Sequence, residues 1–514
     1  MKLICAFGVL ISILTSPLVA QDIIGWRTDG TGKYPQATPV LSWAKDKNVL
    51  WHSKMPASSN ATPLLVGDRL YMCAEPGTIV CTSAVDGKIL WKTTTTYFDL
   101  MTDDEAAKAR ADLAAANELD KQINPLNSKL NQIRKQVKQQ AESEKYKKVV
   151  ADLEKQIVEL KQQLEEDEGN EKLAKDLAAL EKKAADSRKK IKDAIDTEAL
   201  TKESKELSKQ INELRKKQAP LIKWRNPPCH SLTGYTSSTP VTDGKHIWAC
   251  FGTGIVVCCN MQGEVIWRLY IERPPQKYGH SASPMIVDGK LLVTLKHLNA
   301  LDPLTGKKIW TATIRARWGT PLPIMIGSVP MVVMPGGEIV RITDGEVLAT
   351  NLGDLQFNTP VLEGDVFYFI NGTSAAYRVP TEASDQLKPE QLWKTSIKND
   401  RYYASALVHD GLIYAITQHC HLSVLEADTG KLVYEQAVKS LGGPTAYPSI
   451  TLGGTHIFIS SDRGTTVVIE PGREYKQVSA SSLENFRASP VFSANRMYIR
   501  TLKSLWCIGL SQDG

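Results

Sequence analysis

The chain has 514 residues, 42% of them hydrophobic and 23% charged. That is enough apolar material for one very large core or two to three ordinary ones, and it excludes a disordered or fibrous chain. The formal net charge of +6 is spread over the whole length with no single basic block, which argues against nucleic acid as a partner.

The first twenty residues have the three parts of a secretory signal: Lys2 as the charged end, an apolar run from Leu3 to Leu14, and Ser16 to Ala20 leading to cleavage. The expectation is that residues 1–20 are removed and that the mature chain starts near Gln21, soluble in the periplasm or secreted. Leu18 is less usual than Ala at that point of a cleavage site, so an uncleaved anchor is the alternative. No later apolar stretch approaches the ~20 residues needed to cross a bilayer.

Residues 21–98 read as β structure. Asn48-Val49-Leu50-Trp51 has the pattern of a strand ending in a large aromatic, and Thr62-Pro63 opens a second kind of element that recurs further on. Composition then changes abruptly. Residues 99–222 hold one aromatic, Tyr146, among Glu, Lys, Ala, Gln and Leu, with apolar residues spaced four and three. Leu119, Ile123, Leu126, Leu130, Ile133 and Val137 set the register. It continues through Tyr146, Val150, Leu153, Ile157, Leu160 and Leu164, and resumes after Glu168-Gly169-Asn170 with Leu173, Leu177, Leu180 and Ala184. Gly-Asn is a helix stop and restart, so the segment is expected to fold back as an antiparallel coiled-coil hairpin. Asn124-Pro125 has the form of a fresh helix start, giving main arms of ~40 to 50 residues, or ~60 to 75 Å. Dimerisation through one long helix is the rival arrangement.

From residue 223 to 514 the element seen at Thr62-Pro63 returns at Thr239-Pro240, Ser283-Pro284, Thr320-Pro321, Thr359-Pro360, Ser405-Ala406, Pro448-Ser449 and Ser489-Pro490. With the insert set aside, the spacing is roughly 40 to 45 residues, the length of a four-stranded propeller blade. Eight anchors predict an all-β, eight-bladed β-propeller of four-stranded antiparallel blades, interrupted by the α-helical hairpin. Asn48 to Trp51 precedes the first anchor and should complete the last blade, which ends at Leu505-Trp506-Cys507-Ile508, so that no sheet edge stays open.

Most repeats also carry a tight turn followed by an aromatic. Ala300 to Trp310 is the fullest copy (Ala-Leu-Asp-Pro-Leu-Thr-Gly-Lys-Lys-Ile-Trp), with shorter ones ending at Trp91, Trp267 and Tyr434. The Gly supplies a conformation closed to other residues, and the aromatic is expected to be buried between neighbouring blades. With Trp51, these are the predicted docking residues. This pattern resembles the tryptophan-docking repeat of the pyrroloquinoline-quinone (PQQ) type eight-bladed propellers, over residues 21–98 and 223–514. That family includes quinoprotein dehydrogenases, the barrel-assembly lipoprotein of bacterial outer membranes and many exported proteins.

The resemblance raises PQQ with calcium as a cofactor. Against it, there is no Cys-x-x-Cys-His haem site, and no acidic cluster maps onto that family's calcium and catalytic positions. Cys258-Cys259 matches the vicinal disulfide of quinoprotein alcohol dehydrogenases only in spacing, because adjacent residues on a strand point to opposite faces. Cys73 with Cys81, and Cys250 with Cys258, stand at equal distances after their anchors and could be cross-strand disulfides or buried thiols. His230, His419, Cys420 and His421 suggest metal ligands, but a loop or core role is favoured and no metal is expected.

Residues just before each anchor should crowd the channel mouth. Two positions before the anchor stand Asn60, Ser237, Ser281, Trp318, Phe357, Tyr403, Ala446 and Arg487, with His280, Arg317 and Tyr402 one position further back. His280, Arg317, Trp318, Tyr402, Tyr403 and Arg487 are the candidate residues for an anionic or aromatic ligand; a funnel plugged by packed side chains is the alternative. Recognition surfaces outweigh chemistry in this chain. The expectation is therefore a non-catalytic scaffold that mediates protein–protein interaction at the cell envelope, with a quinoprotein-like oxidoreductase or small-ligand binder as the alternative.

Overall fold

The computed structural model describes residues 24–510 apart from Ala194, Gln276, Lys277 and Pro444; the expected signal peptide lies outside the described residues. The chain divides into two compact units, residues 1–100 with 226–514, and residues 101–225.

Among the described residues the first unit contains eight blades of four antiparallel strands, and the sheet of blade 7 has a fifth strand at its inner edge. Seven are built from consecutive strands: blades 1 (64–94), 2 (241–270), 3 (285–312), 4 (322–349), 5 (361–396), 6 (407–437) and 7 (451–482). Blade 8 takes three strands from 491–508 and its outer strand from Val49–Lys54, which pairs antiparallel with Ser504–Ile508 and sets Trp51 opposite Cys507. The two ends of the propeller sequence are thus zipped inside one sheet. Strand interiors are apolar on both faces because each blade is covered by a neighbour on each side. Cys258 packs in a cluster with Leu291 and Leu301 of blade 3, while Cys259 packs in a cluster with Tyr71 and Ile79 of blade 1.

The recurring Ser or Thr of the anchors has a role that burial alone does not explain. Its hydroxyl oxygen accepts a hydrogen bond from the backbone N–H of the anchor residue in the preceding blade. Thr239 N–H donates to Ser283 Oγ (3.0 Å), Ser283 to Thr320 Oγ1 (3.0 Å), Thr320 to Thr359 Oγ1 (3.0 Å) and Thr359 to Ser405 Oγ (3.2 Å). The belt continues from Ser405 to Ser449 Oγ (3.1 Å), Ser449 to Ser489 Oγ (3.0 Å) and Ser489 to Thr62 Oγ1 (3.1 Å). Apart from blade 7, whose inner strand meets Lys33–Tyr34, the innermost strands have no ladder partner on the channel side, so without these hydroxyls a buried N–H would be orphaned at each junction.

At the outer rim the docking pattern takes a specific form. The Trp310 ring lies on the Gly345 turn of blade 4, where a Cβ would come within 2.5 Å of it, and its Nε1 donates to the Ile342 carbonyl at 2.9 Å. Trp91 sits likewise on Gly263 and donates to Met261 O (3.1 Å), and Trp267 sits on Gly306 and donates to Pro303 O (2.8 Å). Trp51 rests on Gly87, and its Nε1 has no partner. These rings keep a minor part of their surface exposed and are otherwise covered as expected, each packed against a core cluster shared by two neighbouring blades as well as on its glycine turn. Tyr434 is half-buried against the blade 6–7 core, with its hydroxyl unpaired and no glycine seat beneath it. Trp393, absent from the predicted set, is a full docking residue: it lies on Gly430 and donates to Ala427 O at 2.8 Å.

The N-terminal segment crosses the channel floor. Ile24 bridges to Thr242 of blade 2, and Lys33–Tyr34 pairs in parallel with the inner strand of blade 7. Between them the buried Arg27 guanidinium donates to Ala406 O (3.0 Å) and Ile450 O (2.6 Å). Burial lowers its pKa to about 10.

The second unit is helical: α1 (Asp103–Glu166), α2 (Glu171–Arg188) and α3 (Thr197–Gln218). Thr102 and Glu105 form a capping box at the start of α1, and Asn170 caps α2 after Gly169, whose φ is +105°. The expected restart at Asn124-Pro125 does not occur. Pro125 lies inside one continuous helix of 64 residues, ~95 Å long. Ile123 and Leu126 on either side of it pack against α3, and this seam carries the helix past the lost N–H. It is the return arm that breaks, between Arg188 and Thr197, where Ser143 Oγ accepts from Lys192 N–H at 2.9 Å.

Two stability predictions follow from the belt and the rim. Thr320→Val keeps shape but leaves the buried Ser283 N–H without an acceptor, and should lower stability by about 1–3 kcal/mol in urea unfolding; a loss below about 0.5 kcal/mol would show the hydroxyl to be dispensable. Trp310→Ala should cost about 3 kcal/mol in the same assay, through lost packing on Gly345 and an unpaired Ile342 carbonyl.

Candidate site at the channel mouth

The residue two places before each anchor faces the channel, and the mouth encloses a cavity of about 580 Å³. Trp318, Phe357, Tyr403 and Tyr447 of four successive blades form a continuous aromatic arc. Their ring centroids are separated by 5.3, 4.6 and 4.6 Å, and the Arg487 guanidinium closes the arc 5.4 Å over the Tyr447 ring. Burial pushes the Tyr447 phenol up to about 12, so it stays neutral and can donate. Arg401 reaches Tyr403 Oη at 3.4 Å.

The other half of the mouth is polar and bridged by the chain returning from the helical insert. Asn60 Nδ2 donates to Leu232 O (2.9 Å) and Thr233 O (2.8 Å), Arg487 Nη1 donates to Leu232 O (3.0 Å), and Ser237 Oγ donates to Thr233 O (2.7 Å). The cavity is therefore half aromatic shelf and half chain-covered, with cationic groups from Arg487 and Arg401 and no Asp or Glu among the described residues of its lining. The acid that interacts with Arg487 is Asp462, whose pKa burial raises against the pull of that arginine.

Of the six residues predicted here, Trp318, Tyr403 and Arg487 line the cavity. The other three do not. His280 is 5% exposed, its Nε2 has no partner, and burial lowers its pKa to about 4. Arg317 turns out to a bidentate ion pair with Asp354 (2.6 and 3.1 Å), and Tyr402 is buried with its hydroxyl on Lys398 O (2.8 Å). The reason is alternation: the third residue before the anchor points away from the channel when the second points in. Ala446 is also corrected. It is fully buried, and its neighbour Tyr447 lines the mouth, because the order Pro448-Ser449 inverts the usual anchor and moves the count by one.

The eight described cysteines are free thiols. Across the hairpins Cys73 faces Ile79 and Cys81 faces Tyr71, while Cys250 faces Val256 and Cys258 faces Trp248. Each supposed pair is thus diagonal, at the ~7–8 Å typical of such neighbours, beyond the Cα separation a disulfide accepts. Burial raises all four thiols, Cys73 and Cys258 to about 12 and Cys81 to about 11, so they are inert core residues. His419 pairs with Asp400 (2.9 Å) and His421 with Glu435 (3.4 Å), and Cys420 is a buried turn residue with φ +59°. Among the described residues no group of three or more His, Cys, Asp or Glu is placed to hold a metal ion.

With eight closed blades, glycine-seated tryptophans and a mouth at the inner-strand entries, the chain can be set beside known proteins. A quinohaemoprotein alcohol dehydrogenase from Comamonas testosteroni superposes with a TM-score of 0.51 at 8% identity, covering 93% of this chain and 79% of that one. The fold is that of a PQQ-type β-propeller. The family model for outer membrane protein assembly factor BamB (PQQ_2) matches residues 39–127, which span the closing strand, blade 1 and the start of α1. A europium-containing methanol dehydrogenase aligns with a TM-score of 0.49 at 11% identity, over 93% of this chain and 96% of that one. BamB from Moraxella catarrhalis aligns with a TM-score of 0.42 at 13% identity, over 52% and 82%. No curated protein matches the chain.

A metal-bound quinone is the group this fold brings to mind, and the mouth does not fit it. Calcium takes oxygen ligands, carboxylates foremost, and no Asp or Glu stands among the described residues of the lining. The vicinal Cys258 and Cys259 are turned to opposite faces, into separate cores.

His280, buried behind the mouth, gives the fold a pH signature. Its folded pKa of about 4 lies below the ordinary 6.5, so the unfolded chain binds the proton first. Stability contributed by the neutral ring is complete above pH 6.5 and is lost as pH falls towards 4, by about 3 kcal/mol. His280→Gln should flatten the stability–pH curve within that window in denaturant titrations; an unchanged slope would place the proton uptake elsewhere.

Proposed function

We propose that the protein is an exported, non-catalytic scaffold of the cell envelope, acting in the periplasm or outside the cell, whose propeller and helical arm hold a protein partner. The observation that carries this reading is the composition of the mouth: an aromatic shelf with arginines, and among the described residues no carboxylate in the lining to act as base or to hold a metal. Such a surface suits apolar and anionic side chains of another chain, since aromatic and Arg residues are those that dominate protein interfaces. The match to the BamB family model over blade 1 agrees with an envelope role. No helix among the described residues is long and apolar enough to cross a membrane.

The arm is the second element of the reading. Residues 101–225 form a compact unit of their own, with a core of Ile123, Leu130, Ile133, Leu207 and Ile211. The propeller cores contain no residue of that segment.

Replacing residues 103–220 by a short flexible linker should leave the propeller's melting transition within about 2 °C of the parent. Partner crosslinking in the native envelope should fall at least about tenfold. A deleted protein that captures the same partners equally well would remove the arm from the function. Stoichiometric uptake of PQQ with calcium, followed by absorbance and accompanied by dye reduction, would instead establish the oxidoreductase reading.

A further inference from the structure

The helical unit is well buried near its base and under-buried towards its tip. In the basal half, where α1 meets α3, Ile123, Leu130, Ile133, Leu207 and Ile211 are each at most 6% exposed, with Leu119, Leu126, Val137, Leu200 and Leu214 partly buried around them. Burial on α1 ends at Leu153, and beyond it Leu160 and Leu164, with Leu173, Leu177 and Leu180 opposite on α2, are only half-buried. Val158 beside them is 65% exposed. Both halves are two-helix coiled coils with the same spacing, so pairing geometry alone does not explain the difference. The distal third has a leucine seam that two helices leave partly wet.

Charge indicates what covers it. Residues 165–171, at the turn, hold five acids (Glu165, Glu166, Asp167, Glu168, Glu171) and no base, and residues 188–192 hold four bases (Arg188, Lys189, Lys190, Lys192) and no acid. The basic segment lies roughly 30 Å from the turn at 1.5 Å per residue. A second hairpin laid antiparallel over the first, with two-fold symmetry, sets each acidic turn beside the other copy's basic segment. The same overlap brings together the two half-buried leucine seams. One rotation satisfies both contacts twice, as an isologous interface requires.

We propose that the distal third of the helical arm is a homodimerisation surface, on which two copies of this chain form an antiparallel four-helix bundle of about 30 Å overlap. Arm folding itself does not need the second copy.

Sedimentation equilibrium of the full mature chain tests this. At low salt the wild type should dimerise, and raising the salt to about 0.5 M should weaken the dimer at least about tenfold, since the pairing charges are exposed. An acidic-to-basic variant (Glu165→Lys, Glu166→Lys, Glu168→Lys) and a basic-to-acidic one (Lys189→Glu, Lys190→Glu, Lys192→Glu) should each be monomeric under the same conditions. Mixed in equal amounts they should recover a dimer, a gain that misfolded variants cannot produce. A wild type that remains monomeric at low salt overturns the proposal, whatever the variants do. So does self-association of either reversed variant as tight as wild type, or a mixture that stays monomeric while both variants keep wild-type helicity by circular dichroism.

Discussion

The constraint on which the propeller depends is the backbone N–H that enters each innermost strand with no neighbour to receive it. Eight strands converge on one axis, and among the described residues only that of blade 7 meets a further strand there, Lys33–Tyr34. A hydroxyl one blade further round solves this locally, and because every blade presents the same residue, the solution becomes a belt. That is why the anchors are Ser or Thr and why the residue after them is so often Pro: the hydroxyl accepts, and Pro contributes no further N–H to be satisfied. The belt also fixes angular spacing, since a 3.0 Å hydrogen bond from Ser283 to Thr320 tolerates little drift between blades.

With the inner strands pinned in this way, the residues two before each anchor are set at nearly equal steps round the mouth, and their identity alone decides what the mouth can bind. Four successive blades supply aromatics and the next supplies arginine, so the arc from Trp318 to Arg487 comes from one repeated position without any dedicated loop. On the floor, Arg27 uses the same geometry in reverse. It spans carbonyls of blades 6 and 7 that the belt leaves free, a buried cation held by backbone oxygens with no ion-pair partner among the described residues.

Blade count, ring closure and the helical insert were legible in the sequence because each rests on repetition: anchors at constant spacing, and leucines at four and three. Single side chains were less legible. His280, Arg317 and Tyr402 were placed in the mouth by proximity to the anchor, but strand alternation, which the same reading applied to Cys258 and Cys259, sends them outward. Tyr447 was missed because Pro448 precedes Ser449, and the belt counts hydroxyls, not prolines. Trp393 was missed because the turn before it holds Pro389 and Glu390 in place of the usual glycine, whereas its own seat, Gly430, is in the next blade and was visible. The unbroken α1 shows the limit of a local signal: Asn124-Pro125 would begin a helix in isolation, but packing of Ile123 and Leu126 against α3 holds the helix through it.

The insertion point is where the belt is weakest, and the chain compensates there. Seven junctions carry the N–H to hydroxyl bond, and among the described residues the one from Thr62 to Thr239, between blades 1 and 2, does not. This is also where the chain leaves for the helical unit and returns. The returning strand is held to blade 1 by other bonds: Ser59 Oγ donates to Thr236 O (2.8 Å), and the Glu75 carboxylate accepts from Tyr235 N–H (2.8 Å), Thr236 N–H (3.1 Å) and Thr236 Oγ1 (2.6 Å). On the departing side, Tyr97 Oη donates to the Thr253 carbonyl of blade 2. A carboxylate that receives three donors is a stronger clamp than the single neutral bond it accompanies. The junction that carries 125 extra residues is thus tied by side chains flanking the insert, and a segment of that size can be accommodated without opening the ring.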